Sequence, residues 1–368
     1  MKNKLILFFT LGTSLDDWNK NGSIDREINI YKKLLIYFDE IYFLTYGKND
    51  RKYSYMLPEN IKILPKKISV NNFLYSLLIP YLYKKEIKES NWLKTNQMIG
   101  GWSAIISKYV FNKKINMRTG YTQSLFLLDS SIFKKILIYL IELLSYRFAN
   151  FSTVTSEHQR RYISNRYNAK NMHIIPNGID INLFKPLKNT TIQNKTKLLF
   201  IGRLHPEKNI INLVNAIQNI PNISLEIIGN SGILKNNILK LRKKYKLSIS
   251  LSANIPNSSL PKIYSEADIY IQPSLYEGNP KTILEAMSCG LPVIASNIDG
   301  TKNIIKHKEN GFLCETCSNS IKNAILTLKN NNKLRDIIGS KARKYIKKNY
   351  ALDKCIEKEI KLYERYSQ

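Results

Sequence analysis

Short apolar, partly β-branched runs alternate along this chain with longer segments whose apolar residues recur at helical spacing. The short runs predict strands at Lys4–Thr10, Glu40–Thr45, Ile61–Leu64, Trp92–Met98, Ile115–Arg118, Phe151–Thr155 and His173–Ile175. Helices are expected between them, at Ser23–Phe38, Asn71–Ser90, Ser131–Phe148 and Glu157–Tyr167. Such an alternation argues for an α/β chain with a doubly wound parallel sheet. The polar stretch Asn177–Asn194, which follows Pro176 and contains Gly178 and Pro186, reads as a linker. A second alternation follows, with strands at Lys197–Ile201, Ser224–Ile228 and Ser248–Leu251, helices at Pro206–Asn219, Leu234–Tyr245 and Ser259–Ser265, and a lysine-rich helical end from Ser318 to Tyr366. The expected division is a first domain over 1–180, a second over 181–348 and a terminal helical segment over 349–368.

Ala267–Ser296 is the most informative stretch. Ile269 and Ile271 mark one buried strand and Pro292–Ala295 another, with a helix at Thr282–Met287 between them: a βαβ unit. Ligands of open α/β sheets sit beyond the carboxyl ends of the strands, and Ser274–Pro280 leaves the first strand at that end. Gly278, Asn279 and Pro280 break regular structure, so the loop offers backbone N–H groups and a helix N-terminus to a phosphate. Glu285, one turn into the helix, has the chemistry to accept hydrogen bonds from a ribose diol, and Glu277 lies on the loop itself.

In FIGRLHPEKNI, Phe200–Ile210, the strand ends at Gly202; Arg203 follows, and Lys208 comes five residues later at a helix start led by Pro206. Both cations then lie at the carboxyl edge of the sheet that carries Glu277 and Glu285. A departing diphosphate gains charge as its bond to a sugar breaks, and such cations stabilise it. Each charge-assisted hydrogen bond contributes on the order of 1.5–3 kcal/mol. Enzymes lower barriers by about 8 kcal/mol or more, so several are needed.

Charge and cysteine content narrow the class. The 368 residues carry a formal charge of +29, spread over both halves. Both coding bias and an anionic membrane or substrate account for that spread. Four cysteines form no framework; Cys314 and Cys317 make one C-x-x-C without a second pair, so structural zinc is not expected and a reducing compartment is. The N-terminal MKNKLILFFTLG lacks a small-x-small cleavage site and reads as a first strand. Leu74–Tyr83 and Ile136–Leu144 are too short to span a bilayer. Of the two apolar, Lys-bearing segments, Ser131–Phe148 reads as a core-facing helix, while Leu74–Lys88 suits a core and a membrane surface equally.

Four motifs in order, IIPNGID (Ile174–Asp180), FIGRLHPEKNI, EGNPKTILEAMSCGLPVIAS (Glu277–Ser296) and GFLCE (Gly311–Glu315), resemble glycosyltransferase family 4 over nearly the whole chain. The resemblance implies the GT-B architecture, two Rossmann-like domains facing each other across a cleft. It also implies retaining transfer of a hexose-type sugar from a nucleotide diphosphate sugar, with no cofactor and no metal. By the same resemblance, Glu277, Arg203 and Lys208 carry the chemistry. Glu285 holds the ribose, and Gly278, Asn279, Lys281, Thr282 and Leu284 line the donor site. Gly22 matches the first-loop glycine, and the last helix packs back on the first domain. The implied partners are a nucleotide sugar and a glycan or lipid-linked glycan acceptor of a growing cell-surface polysaccharide or lipopolysaccharide, with an anionic membrane surface as a further partner. The implied place is the cytoplasm, at the inner face of the membrane.

This chain departs from the family in one place: Met98–Ala104, MIGGWSA, lacks the first-domain histidine of many relatives, and His158 and His205 do not replace it. Arg118, at a strand end, is the candidate first-domain contact. Trp18, in the long loop LGTSLDDWNKNGS, joins it as an acceptor-binding candidate. The alternatives are a nucleotide-sugar epimerase of the same architecture and a basic nucleic-acid-binding protein; no nucleic-acid-reading motif supports the latter, and no nucleic acid is expected as partner.

Overall fold

The computed structural model describes residues 2–120, 122–126, 131–187, 195–229 and 231–368. The chain forms two compact units, Met1–Pro176 with Ile356–Gln368, and Asn177–Cys355. In the first, β1 (Lys4–Phe8), β2 (Glu40–Leu44), β3 (Ile61–Leu64), β4 (Trp92–Thr95), β5 (Lys114–Thr119), β6 (Phe151–Val154) and β7 (Met172–Ile174) make one sheet in the order β3-β2-β1-β4-β5-β6-β7. All its pairings are parallel. In the second, β8 (Thr196–Ile201), β9 (Ile223–Ile228), β10 (Ile249–Ser252), β11 (Ile269–Gln272), β12 (Val293–Ser296) and β13 (Phe312–Cys314) run β10-β9-β8-β11-β12-β13, again all parallel. Both are Rossmann-like orders that reverse direction beside their first strand, β1|β4 and β8|β11, and the crevice beyond that reversal is where such sheets bind ligands.

The predicted strands form, with ends moved by a residue or a few; the central ones are buried on both faces, while the edge strands β3, β7 and β10 are partly open. β13 escaped the reading: three residues are too short a pattern to stand out. In the second unit the strand period of two sorts side chains onto the sheet's faces. Leu198, Phe200, Ile269 and Ile271 enter one core; Leu199, Tyr270, Val293 and Ala295 enter the other, with the helix Lys281–Ser288.

Several expectations need correction. The long opening loop contains a helix, Leu15–Lys20, whose N-cap Ser14 and Asp17 bond reciprocally, Ser14 Oγ accepting at 3.1 Å and Asp17 Oδ2 at 2.8 Å. Asn71–Ser90 is two helices, Asn72–Leu82 and Lys84–Glu89, and Trp102–Phe111 is a further helix. The linker expected at Asn177–Asn194 is no linker over its described part: Ile179 and Phe184 are core residues, and Ile179 lies beside Ala351. Residues 188–194 of that segment lie outside the described residues. The helix Ile132–Phe148, expected to face a core, instead exposes Ile132, Phe133, Ile136, Leu137, Leu140 and Leu144. Periodicity finds an apolar stripe but cannot say which way it points.

The end of the helix Leu352–Ser367 belongs to the first unit through a buried ion pair. Lys94 on central strand β4 donates to Glu359, both side chains almost fully buried. Glu359 also accepts from Tyr363 O–H at 3.1 Å and Asn116 Nδ2 at 3.3 Å. Burial pushes the Lys94 ammonium below its ordinary pKa, against the pull of Glu359. Burial pushes the Glu359 carboxyl the other way, but the charges of Lys94 and Arg118 prevail and hold it low. Removing one partner of a buried pair strands the other charge, at about 3–5 kcal/mol. Lys94→Met is therefore expected to destabilise this unit by about that amount, and Lys94→Met with Glu359→Leu by less. All three tryptophans, Trp18, Trp92 and Trp102, lie in the first unit, so their fluorescence during urea unfolding reads it; a double variant as unstable as Lys94→Met would refute the account.

Candidate active site

The loops after β8 and β11 flank the reversal of the second sheet and meet at one carboxylate oxygen. Glu277 Oε1 accepts from Lys208 Nζ at 2.6 Å, from Ser274 Oγ at 2.7 Å and from Gln272 Nε2. Lys208 and Glu277 are mostly shielded, with side chains 17% and 10% exposed, so their attraction is little screened by solvent. Gln272 is held from behind, its Oε1 accepting from the hydroxyls of Tyr270 and Thr282, each at 2.7 Å. Two hydroxyl donors on Oε1 leave the amide's NH2 to face Glu277, which fixes its orientation. Burial, foremost, raises the Tyr270 phenol well above its ordinary value, so it stays a donor.

The two loops are joined a second time. Asn209, in the left-handed region at φ 55°, donates to the carbonyls of Pro273 at 2.9 Å and Thr316 at 2.8 Å. Leu275 N–H donates to Glu207 O at 2.8 Å. The Pro206 segment is thus one 3₁₀ turn, Pro206–Lys208, followed by the seven-residue helix Ile210–Ala216, and not the continuous helix expected. Arg203 is exposed, its side chain 65% accessible and its guanidinium 3.2 Å from Glu207 Oε1.

IIPNGID and the Glu277 loop also interlock. Asn177 donates through Nδ2 to Asn279 O at 2.8 Å and through its backbone N–H to Asn279 Oδ1 at 3.2 Å. A side chain at Gly178 would meet Leu352 Cα at 2.9 Å. Pro280 caps Lys281–Ser288 without a side-chain acceptor, so no side chain of the cap claims that helix's first N–H groups.

The remaining expected site residues are placed as follows. Gly278, Asn279 and Lys281 lie on the loop and helix start beside Glu277. Thr282 turns its hydroxyl inward to Gln272, and Leu284 is a core side chain whose N–H bonds Pro280 O, so neither side chain presents a donor contact. Glu285 is fully buried, accepting from Asn257 Nδ2 at 3.0 Å and from Tyr264 O–H at 3.1 Å; it is not the open acceptor for a ribose diol that its spacing suggested. Trp18 is core, stacked on Phe9 at 4.4 Å between ring centres, which leaves no face for an acceptor. Gly22, at φ 68°, is explained by the turn between Leu15–Lys20 and Ile24–Leu34. Arg118 stands at the carboxyl end of β5, half-buried, its charge felt by Glu359 and Lys94. Sequence reasoning missed Gln272, Ser274 and Asn177. The signal for Gln272 was a lone amide closing a buried apolar strand, a position that demands partners.

Residues 184–345 match the family model for glycosyl transferases group 1. That stretch is similar to glycosyl transferases group 1, and the relatives that the chain matches include proteins named as glycosyltransferases. It is 30% identical over 210 residues to the UDP-Gal:alpha-D-GlcNAc-diphosphoundecaprenol alpha-1,3-galactosyltransferase of Escherichia coli, covering 52% of this chain and 53% of that protein. It is 27% identical to an uncharacterized glycosyltransferase of Methanocaldococcus jannaschii, covering 96% of this chain and 94% of that one. Its fold is GT-B, similar to that of Anabaena HepE in complex with UDP and glucose, with a TM-score of 0.80 at 16% identity over 99% of this chain and 100% of that one. The motifs from Phe200 to Glu315 fall inside the matched region; IIPNGID precedes it.

The candidate site leaves no room behind Glu277. A Cβ at Gly300 would meet Glu277 O at 2.1 Å and its carbonyl carbon at 2.6 Å, contacts that only a backbone shift relieves. Gly300→Ala is expected to displace the Glu277 carboxylate and lower sugar-transfer turnover by about tenfold or more, since misplacing a reacting group by about 1 Å costs far more than its stability change. Steady-state rates beside a melting curve check this; wild-type turnover would overturn it.

Proposed function

We propose that the protein is a retaining glycosyltransferase that moves a hexose-type sugar from a nucleotide diphosphate sugar to a hydroxyl of a growing cell-surface glycan or lipid-linked glycan. The observation that carries this reading is the meeting of Lys208 and Glu277, from separate loops, beside the β8|β11 reversal. A cation for the leaving phosphate and an anion for the sugar ring are the two charges that this reaction develops. The names of relatives support the substrate class: the Escherichia coli protein is named for a UDP-sugar and a diphosphoundecaprenol acceptor, and the HepE structure holds UDP.

In this reading the donor diphosphate lies against Lys208, the exposed Arg203 and the N–H groups at Gly278–Lys281. A diphosphate draws Lys208 away from Glu277, while Gln272 and Ser274 keep hold of Oε1, so the carboxylate stays in place. Glu277 then faces the sugar and stabilises the positive charge that its ring gains as the phosphate departs. The acceptor hydroxyl attacks from the same face, and its proton goes to the departing phosphate oxygen, which retains the anomeric configuration. Glu285 acts from below, holding Tyr264 and Asn257 under the helix that starts at Lys281. Arg118 is kept as a first-unit contact for an anionic group of either substrate. The two cations do the work that a metal ion does elsewhere, so turnover is expected to be unchanged by EDTA. The protein works in the cytoplasm, at the inner face of the membrane where lipid-linked acceptors are presented.

Glu277→Ala and Lys208→Ala are each expected to lower turnover at least about a hundredfold with folding preserved, the scale for loss of one transition-state charge contact. Near wild-type rates in either would sink the assignment. Without acceptor the nucleotide sugar should stay unchanged; its epimerisation would point to the alternative enzyme.

A further inference from the structure

Three helices of the first unit leave apolar side chains exposed, and two of them turn polar residues inward. In Ile132–Phe148 the buried face holds Glu142, Ser145 and Tyr146 with Ile138, while Phe133 (75% exposed), Ile136, Leu137, Leu140 and Leu144 form one outward stripe. Glu142 fixes that orientation, accepting from Ser124 Oγ at 2.6 Å, Ser124 N–H at 3.2 Å and Tyr167 O–H at 2.5 Å. Rotating the helix to bury its leucines would expel a carboxylate from all three donors.

The neighbouring Trp102–Phe111 repeats the arrangement. Ser103 and Ser107 face inward, Ser103 Oγ donating to Ser76 O at 2.6 Å and Ser107 Oγ to Ser103 O at 2.7 Å, while Tyr109 and Val110 face solvent. Asn72–Leu82 exposes Phe73, Leu74, Leu77 and Tyr81. The three exposures adjoin: the Phe73 ring is 6.0 Å from that of Trp102, and the Tyr109 ring is 5.4 Å from that of Phe148.

Charge says what covers this face. Residues 66–148 hold 13 Lys and Arg against 4 Asp and Glu. Lys84, Lys85 and Lys88 follow one helix of the face, and Lys134 and Lys135 open another; all but the half-buried Lys135 are exposed. An apolar stripe with lysines at its margins is the pattern of a helix lying in a membrane interface. Among the described residues no helix is long and apolar enough to cross a membrane, so the contact is superficial.

We propose that this three-helix face docks the protein on an anionic lipid surface. The proposal does not depend on the sugar-transfer reading, because binding is measured without donor or acceptor. The full chain is sedimented with vesicles of phosphatidylcholine alone or with added phosphatidylglycerol, at low and high salt. Wild type is expected to bind the phosphatidylglycerol vesicles and to weaken with salt. Phe133→Ser with Leu137→Ser, both exposed and so neutral to folding by melting curve, should lower the partition coefficient by about tenfold or more. Lys134→Gln with Lys135→Gln should lower binding to phosphatidylglycerol vesicles and reduce its salt dependence. Failure of wild type to bind those vesicles would overturn the proposal, as would binding unchanged in the Phe133/Leu137 variant. A dimer in sedimentation velocity that this variant splits into monomers, without vesicle binding, would assign the face to a second copy of the chain and likewise overturn it.

Discussion

The second unit's candidate site depends on one oxygen atom, Glu277 Oε1, on which Lys208, Gln272 and Ser274 converge. A carboxylate with three donors on one oxygen is fixed in position, and in a mostly shielded setting each of those bonds is stronger than in water. Lys208 arrives from the loop after β8, and Gln272 and Ser274 from the end of β11, so the contact also sets the distance between the two edges of the crevice. Asn209 ties the loop after β8 to the backbone of Pro273 and Thr316, and the Asn177–Asn279 pair anchors the Glu277 loop from a third segment.

The same device recurs elsewhere: a polar side chain set in an apolar context, with every donor or acceptor role assigned. Gln272 closes a buried strand and aims Glu277. Lys94 sits in a central strand and ties the C-terminal helix to the first unit through Glu359. Glu142 turns inward and leaves a leucine stripe facing out. Buried polar groups of this kind contribute little net stability against an apolar alternative; they decide which arrangement is adopted. Each sits where the fold must make a choice: the aim of the Glu277 carboxylate, the docking of a terminal helix, the face a helix shows to its surroundings.

Much of this was legible in the chain itself. Among the described residues apolar runs located twelve of thirteen strands, because strands of a parallel sheet covered on both faces are mostly apolar. The alternation of strands and helices announced two doubly wound sheets. The spacing of Arg203, Lys208 and Glu277 behind strand ends placed them at ligand-facing edges, since chain direction alone decides which end of a parallel strand a loop leaves. The family resemblance read from four motifs is supported by the match over residues 184–345.

What the sequence could not fix was direction and partnership. Glu285 was read as a ribose contact from its place one turn into a helix and from the family resemblance, and Trp18 as an acceptor contact from its place in a long loop; both side chains are inside, because burial depends on what packs above them and not on their neighbours in the chain. Gln272 went unread in the sequence; Tyr270, Thr282 and Glu277 close around it only in the fold. The helix Ile132–Phe148 has one apolar stripe in either reading; only its contacts with Ser124 and Tyr167 decide that the stripe faces outward. By itself the sequence determined most of the strands and the main helices, through local periodicity, and the order of the motifs and the sign of charge at each loop, through residue identity. The tertiary structure alone decided which of those groups meet, because Lys208 and Glu277 stand 69 positions apart and only the folding of the sheet brings them within 2.6 Å.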